Sequence, residues 1–209
     1  MYSIFPSGPF ETNAYILYCP KTRAAVFIDP APESFEALVK FVEAKHLIPE
    51  SIWLTHTHWD HIADVARLKN RYNLPVGVHE DDKVNLIEPG SDQLPCWITF
   101  EGVEPQFFFH HDEKFSLGSL NIQVIHTPGH TPGGVCFYLP EEKLLFSGDT
   151  LFAGTIGNLS FPTARPALMW KSLAILAKLP FDTLVLPGHG PSTTMGKERW
   201  IDRAEELFG

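Results

Sequence analysis

The chain has 209 residues, of which 44% are hydrophobic and 20% are charged, and its formal net charge is −9. These values are typical of a globular chain with one sizeable core, and they exclude low-complexity and collagen-like sequences. The acidic balance, without a lysine or arginine cluster, disfavours nucleic acid and anionic membrane surfaces as partners. A small-molecule partner remains, and the oligomeric state stays open.

Membrane insertion and secretion have no support in the sequence. The apolar runs are far shorter than the roughly 20 residues of a transmembrane helix, and the N-terminus lacks the basic and apolar regions of a signal peptide. Cys19, Cys96 and Cys136 are odd in number and widely spaced, which argues against a disulfide framework. We therefore expect reduced thiols and a cytoplasmic location.

Strands and helices alternate in the first half of the chain. The apolar runs typical of strands are YSIF, NAYILYC, AAVFI, SIWLT and PVGVH. Helical spacing of apolar residues predicts one helix at about 33–46 and another at about 60–71.

A long loop is predicted next, because residues 88–106 contain three prolines and two glycines. Loops of this length often border a functional pocket. Trp97 and Phe100 are therefore candidates to line the mouth of such a pocket, although they could equally pack the loop against the core.

The second half again mixes strands with helices. Its strand-like runs are QFFFH, NIQVIH, VCFYL, KLLFS and TLVLP. Helices are predicted at about 166–178 and about 194–208. The interleaved pattern has neither a fixed repeat nor a linker, so we expect residues 1–209 to form a single layered α/β domain.

Three histidines and an aspartate fall within residues 55–61, THTHWDH, directly after the predicted strand SIWLT. In an extended segment, His56 and His58 point the same way and can hold one ion. Asp60 and His61 begin the following helix and aim elsewhere, which suits a neighbouring ion. This short stretch could therefore serve two metals.

Three further polar side chains follow apolar runs, each directly after a glycine that permits a sharp turn. They are His130, Asp149 and His189. Because strand ends lie along one edge of a sheet, we expect these residues to meet the THTHWDH stretch. An isolated histidine is more often a surface or capping residue, but the spacing of the whole set favours metal ligands.

The candidate donors are five imidazoles and two carboxylates, a set that suits Zn²⁺, Fe²⁺ or Mn²⁺. The lack of thiolates argues against a closed structural zinc site. Seven donors also exceed the needs of one tetrahedral ion. A shared carboxylate and a bridging water would complete two open sites, as two-metal hydrolases require.

Four segments in this order resemble the metallo-β-lactamase superfamily, and more closely its glyoxalase II (hydroxyacylglutathione hydrolase) branch. They are THTHWDHIADV, TPGHTPGG, FSGDTLF and LPGHGP. The resemblance implies an αββα four-layer sandwich, the metallo-β-lactamase fold, with two sheets back to back and helices outside.

The resemblance also implies roles for individual residues. The first metal would be held by His56, His58 and His130. The second would be held by Asp60, His61 and His189, with Asp149 bridging the two. Asp29, after the run AAVFI, resembles a family aspartate that braces the histidine motif through hydrogen bonds.

Some positions depart from the glyoxalase II pattern. Ala63 and Asp64 stand where two small residues, often glycines, are usual, and Asn158 and Ser160 stand where arginine and aspartate are common. Because about twenty residues follow His189, we expect no C-terminal glutathione-binding helical domain. The candidates for substrate contacts are Trp97, Phe100, Asn158 and Arg165.

These features predict a dinuclear metal-dependent hydrolase of a small thioester, in which a hydroxide bridging two divalent ions attacks the carbonyl carbon. Zinc is the favoured metal, with iron or manganese as alternatives. Asp60 could orient the hydroxide or accept a proton. A thiol with a pKa of about 8.5 leaves without help, whereas an amide nitrogen needs a general acid that the sequence does not offer.

Two other functions fit the same residues. A mononuclear iron persulfide dioxygenase, known from another branch of the superfamily, would use His56, Asp149 and either His58 or His130. A non-enzymatic metal-binding scaffold is the third possibility, although scaffolds of that kind usually lose members of the ligand set.

Overall fold

Two six-stranded β-sheets form the centre of the computed structural model, which describes residues 1–209. The strands of the first sheet, in spatial order, are β1 (Tyr2–Ser7), β2 (Thr12–Tyr18), β3 (Ala24–Ile28), β4 (Ile48–Trp53), β5 (Val76–Val78) and β6 (Phe107–Phe108). The first three strands are antiparallel, whereas β3 to β6 run parallel to one another. This parallel half directs the ends of β3, β4 and β5 to one edge.

The second sheet is formed by the other half of the chain. Its strands are β7 (Lys114–Leu117), β8 (Leu120–His126), β9 (Val135–Leu139), β10 (Leu144–Gly148), β11 (Leu184–Pro187) and β12 (Thr193–Thr194). The one parallel pair is β10 with β11, and the remaining pairs are antiparallel. The ends of β10 and β11 therefore lie side by side.

The sheets pack face to face because their strands present alternate side chains to opposite faces. In β2, Tyr15 and Leu17 join a central core of 17 buried residues to which both sheets contribute. Ala14 and Ile16 face the other way, into a core of 18 buried residues beneath the first-half helices. A third core of 12 buried residues lies between the second sheet and the later helices. These layers confirm the expected αββα sandwich.

The helices cover the outer faces of both sheets. They are α1 (Phe35–Lys45), α2 (Trp59–Ile62), α3 (Val65–Tyr72), α4 (Lys83–Ile87), α5 (Pro166–Leu176) and α6 (Ala204–Phe208). Single 3₁₀ turns lie at Glu80–Asp82 and Arg199–Arg203. None of these helices combines the length and hydropathy needed to cross a membrane.

The helix predicted at about 60–71 is interrupted, and so that prediction was partly wrong. It divides into α2 and α3 because the backbone amide of Asp64 donates to the carbonyl of Pro30. The Asp64 carboxylate in turn accepts a hydrogen bond from the amide of Phe35, at the start of α1. Asp64, which stands where the glyoxalase II pattern usually has a small residue, therefore links the start of α3 to the start of α1.

The helix predicted at about 194–208 was wrong over its first part. Thr193 and Thr194 form a strand instead, and only residues 204–208 are α-helical. The cause is the buried carboxylate of Glu198, which accepts hydrogen bonds from Thr193, Trp200 and the amide of Gly154. These tertiary contacts override the helical spacing of the apolar residues.

The other predicted elements occur in the structure, with shifts at their ends. The strands AAVFI and VCFYL coincide with β3 and β9, and the helices at about 33–46 and about 166–178 correspond to α1 and α5. The run QFFFH yields only the two-residue strand β6, and β7 was not predicted. Residues 88–106 contain neither helix nor strand, as expected.

Phe137 lies at the centre of the inter-sheet core, with its ring near those of Trp53 and Phe109 at centroid distances of 5.1 and 5.0 Å. We expect Phe137→Ala to lower the free energy of unfolding by about 3–5 kcal/mol, because it leaves a cavity between the sheets. Urea denaturation measures this loss. Phe181→Ala is the control, since 74% of that side chain is exposed, and a change of the same size there would contradict the layered core.

Candidate metal centre

Seven polar side chains converge where the ends of four strands meet. His56 and His58 follow β4, and Asp60 and His61 lie in the short helix α2. The remaining members follow strands of the second sheet: His130 after β8, Asp149 after β10 and His189 after β11. The structure therefore assembles all seven residues that the sequence singled out as donors.

His56, His58 and His130 form the first group of donors. One nitrogen from each ring lies within 4.8 Å of the other two. The Nε2 atoms of all three are buried and have no hydrogen-bond partner. Leaving a polar group buried and unpaired typically costs about 1–3 kcal/mol. A divalent cation would satisfy all three nitrogens at once.

Asp60, His61 and His189 form a second group, also with ligand atoms within 4.8 Å of one another. His189 Nε2 lies 3.2 Å from Asp60 Oδ2 and 3.3 Å from His61 Nε2. Two ligands about 2.0–2.1 Å from one tetrahedral ion lie about 3.3–3.4 Å apart. The observed separations therefore suit a shared cation.

Asp149 lies between the two groups. Its Oδ2 is 3.3 Å from His130 Nε2, whereas its Oδ1 is 3.4 Å from His61 Nε2. Oδ1 is buried without a hydrogen-bond partner. One carboxylate thus faces both histidine groups, which is the position of a bridging ligand.

Asp29 orients one histidine from each group. Its Oδ2 accepts hydrogen bonds from Thr55 Oγ1 at 2.6 Å and His61 Nδ1 at 3.0 Å, and its Oδ1 accepts from the Thr55 amide. Thr55 Oγ1 also lies 3.1 Å from His56 Nδ1. Because Thr55 donates its hydroxyl proton to Asp29, it accepts from His56 Nδ1. In its neutral form, each ring would therefore carry its proton on Nδ1 and present Nε2 to the site.

Backbone carbonyls fix two further rings in the same way. His130 Nδ1 donates to the carbonyl of Asn158 at 2.8 Å, and His189 Nδ1 donates to that of Phe10 at 3.1 Å. Thr12 Oγ1 donates to Asp60 Oδ2 at 2.7 Å. Thr12 and Phe10 were not predicted, because their turn approaches the site only after β1 and β2 pair.

Two glycines are required by the close approach of the loops. A side chain at Gly188 would overlap Asp149 Oδ1 and lie against the His61 ring. Gly148 has a φ of +48°, and a Cβ there would meet the Thr55 side chain. Glycine therefore precedes a ligand at Gly188 because the loops are crowded there, and at Gly148 because the backbone is both crowded and left-handed.

The electrostatics of the first group of donors favour the protonation states that bind metal. Burial lowers the pKa of His56 and takes that of His58 to about 3, so both imidazoles are neutral at pH 7. Burial acts to raise the pKa of Asp149, but His61 outweighs it and holds that pKa well below its ordinary value. Neutral imidazoles and ionised carboxylates are the ligand forms that bind divalent cations. In the second group, burial acts to lower the pKa of His61, but Asp60 and Asp149 outweigh it and hold that pKa well above its ordinary value, so a cation bound there would displace a proton.

Asp82 is a residue whose role the sequence did not reveal. It lies in the 3₁₀ turn Glu80–Asp82 before α4, and it is buried. Its carboxylate accepts from Thr131 Oγ1 at 2.8 Å and the amide of Gly133 at 2.6 Å.

The backbone of Asp82 reaches the other ligand loop, because its carbonyl accepts from Thr57 Oγ1 at 3.0 Å. Asp82 therefore ties the loop of His56 and His58 to the loop of His130. No local pattern in the sequence signals this role, since the three contacts are long-range.

The four candidates for substrate contacts occupy different places. Trp97 and Asn158 line a cleft above the seven donors. Phe100 instead packs against the core beneath the first-half helices, and Arg165 donates to the carbonyls of Thr163 and Ala164. The structure therefore does not bring Phe100 or Arg165 to the cleft, because backbone and core contacts occupy them.

His79 and His126 lie outside this centre. Their rings stack at a centroid distance of 3.9 Å, and His126 Nε2 donates to the carbonyl of Pro132.

A family model of the metallo-β-lactamase superfamily matches residues 7–189, which include all seven donors. The chain belongs to the metallo-β-lactamase superfamily. The αββα sandwich and the position of the donors at one edge of both sheets agree with this membership.

Several superfamily members resemble the chain over nearly its whole length. Hydroxyacylglutathione hydrolase GloC of Haemophilus influenzae is 33% identical, covering 94% of this chain and 93% of its own. The crystal structure of BLEG-1 B3 metallo-β-lactamase is 34% identical, with a TM-score of 0.88 and complete coverage of both chains. TTHA1623, solved in a di-iron-bound form, is 36% identical, with a TM-score of 0.80 and coverage of 94% and 96%.

We expect Asp29→Asn to weaken metal binding about 10- to 100-fold. The new amide would present N–H groups where Asp29 Oδ2 now accepts from Thr55 and His61. Competition with a chromogenic chelator measures the affinity. Asp64→Asn is the matched control, because Asp64 is also buried but contacts Phe35 and Arg67. An equal loss of affinity in both variants would contradict the bracing role of Asp29.

Proposed function

We propose that the chain is a dinuclear metal-dependent hydrolase that cleaves a small thioester. The observation that carries this proposal is a set of four unpaired buried atoms: the Nε2 atoms of His56, His58 and His130, which face one another, and Oδ1 of Asp149, which faces His61 in the second group. A folded protein rarely leaves so many polar atoms together without a partner. Superfamily membership supports a hydrolytic role.

The chain would hold two ions with separate sets of ligands. His56, His58 and His130 would hold the first, and Asp60, His61 and His189 would hold the second. Asp149 would contact both, since its two oxygens face His130 and His61. A mononuclear dioxygenase would leave the second set without a function.

The bound cations would supply a hydroxide near neutral pH and polarise the carbonyl oxygen of the substrate. We propose zinc, which imidazole and carboxylate ligands hold in catalytic sites that keep an open position. Iron is the alternative that a specific observation favours, since TTHA1623, 36% identical, was solved with two irons. The two metals are distinguished by analysis of the protein purified without added metal.

Asp60 would orient the nucleophile rather than accept its proton. Burial acts to raise the pKa of this carboxyl, but His61, His189 and Thr12 outweigh that effect and bring the pKa to about 2. A carboxylate of such low pKa is a weak base. Its Oδ2 is held in place by Thr12 Oγ1 at 2.7 Å, which is consistent with a positioning role.

The lack of a general acid supports a thioester over an amide. The titratable residues that line the cleft are His58, Asp60, His130, Asp149 and His189. All of them belong to the proposed ligand set, so none is available to protonate a leaving amine. A thiolate departs without protonation, because a thiol is far more acidic than an amine.

The thiols of the chain fit a reducing compartment. Cys19, Cys96 and Cys136 are all free, and Cys96 is exposed. An exposed free thiol is tolerated where glutathione and thioredoxin keep cysteines reduced. We therefore propose that the protein acts in the cytoplasm.

A panel of thioesters, including S-D-lactoylglutathione, tests the proposed activity on metal-loaded protein. We expect His58→Ala to reduce kcat/KM by at least about 100-fold, because it removes a ligand from the first ion. His110→Ala is the control, since His110 is exposed and its side chain makes no hydrogen bond. Equal turnover by His58→Ala and the unaltered chain would refute the assignment, as would hydrolysis of β-lactams alone.

A further inference from the structure

A cleft of about 520 Å³ opens directly above the seven donors, and its walls are largely apolar. Its floor includes Asp60, Asp149 and His189, so a molecule in the cleft would contact the proposed reaction centre. The walls are formed by Phe10, Trp59, Leu94, Trp97, Phe152 and Phe161. A volume of this size falls within the range of pockets that bury most of a small organic ligand.

Three of these aromatic rings form a cluster on one side of the cleft. The centroid of Trp59 lies 5.3 Å from that of Phe10 and 5.5 Å from that of Trp97, and the rings of Phe10 and Trp97 are 5.8 Å apart. Trp59 is buried, whereas 47% of Phe10 and 66% of Trp97 are exposed. Exposed aromatic surface beside a cleft marks a site where an apolar group is bound.

Another aromatic ring of the cleft lies against the metal ligands themselves. The ring of Phe161 meets that of His58 edge to face at 5.4 Å, and its centroid lies 5.6 Å from that of His130. A group bound between Phe161 and the aromatic cluster would therefore lie against the ligand histidines. The apolar group of the substrate would then lie next to the bond that reacts.

The charge of the cleft discriminates between substrates. No lysine or arginine lines it, and Arg165 is occupied by the carbonyls of Thr163 and Ala164. A glutathionyl group is anionic, because it carries more carboxylates than ammonium groups. Inside this cleft its distal carboxylates would lose water without gaining a cationic partner, which is unfavourable.

We propose that the substrate is a thioester whose acyl part is apolar and uncharged, and that Phe10, Trp59, Trp97 and Phe161 bind this acyl group. This inference rests on the proposed thioester hydrolysis and names its substrate class. The acyl carbonyl would lie over Asp60 and Asp149, while the chain extends between the aromatic walls. Specificity would come from the removal of apolar surface from water.

Thioesters of N-acetylcysteamine with acetyl, butanoyl, hexanoyl and octanoyl groups test the proposal on metal-loaded protein, together with S-D-lactoylglutathione. We expect kcat/KM to rise about two- to fourfold for each added methylene, because each is removed from water by the aromatic walls. The octanoyl thioester would then exceed S-D-lactoylglutathione. This order of substrates is the primary result.

Variants in the aromatic cluster test whether its rings cause the dependence of kcat/KM on acyl length. We expect Trp97→Ala to reduce the ratio of octanoyl to acetyl kcat/KM about tenfold, since it removes one wall from the acyl chain. Trp97→Arg would in addition raise activity towards S-D-lactoylglutathione, because it places a cation beside the anionic group. Phe181→Ala is the control, since that exposed ring lies outside the cleft, and it should leave every ratio unchanged.

The outcomes separate this inference from the function on which it rests. A flat dependence on acyl length, or faster hydrolysis of S-D-lactoylglutathione than of the octanoyl thioester, would overturn the apolar substrate class while leaving the hydrolase intact. Metal-loaded protein that hydrolyses no thioester would overturn the proposed function itself. Equal metal content in Trp97→Ala and the unaltered chain confirms that the variant alters the cleft rather than the centre.

Discussion

Buried nitrogen and oxygen atoms that lack partners are the constraint on which the rest of this structure depends. Three imidazole nitrogens and one carboxylate oxygen lie at the edge of both sheets, and none forms a hydrogen bond. Hydrophobic burial elsewhere must compensate for this arrangement, and the three cores, one between the sheets and one on the outer face of each sheet, supply that burial. The site is a destabilising feature that a bound cation would turn into a stabilising one.

The rigidity of the site follows from contacts that join distant parts of the chain. Asp29 links the ends of β3 and β4 and orients His56 and His61. Asp82 links the loops on either side of the inter-sheet boundary. Such supports hold ligands in position before a metal binds, which reduces the cost of organising them.

Much of this could be predicted from the sequence, because strand ends and sharp turns are local features. Four of the seven donors were predicted from the THTHWDH stretch after a strand and three from a glycine and a polar residue after an apolar run, and the structure brings all seven together. The roles of Asp82, Thr12 and Glu198 could not be predicted, since each depends on a residue that becomes a neighbour only after folding. The helix expected at about 194–208 was wrong for the same reason.

The aromatic cleft beside the metal centre is assembled from distant segments of the chain. Phe10 comes from the first turn of the chain, Trp59 from α2 and Trp97 from the long loop, so the wall forms only when these segments meet. The loop at 88–106 was expected to border a pocket, and Trp97 fulfils that expectation while Phe100 does not. The donors thus lie at strand ends and in α2, while turns and loops supply much of the wall around them.

The most direct test of the account is a crystal structure of the protein grown with zinc, recorded at the zinc absorption edge. We expect two anomalous peaks for each chain. One would be bound by His56, His58 and His130, and the other by Asp60, His61 and His189, with Asp149 touching both. A single peak, or none among these seven side chains, would contradict the dinuclear centre.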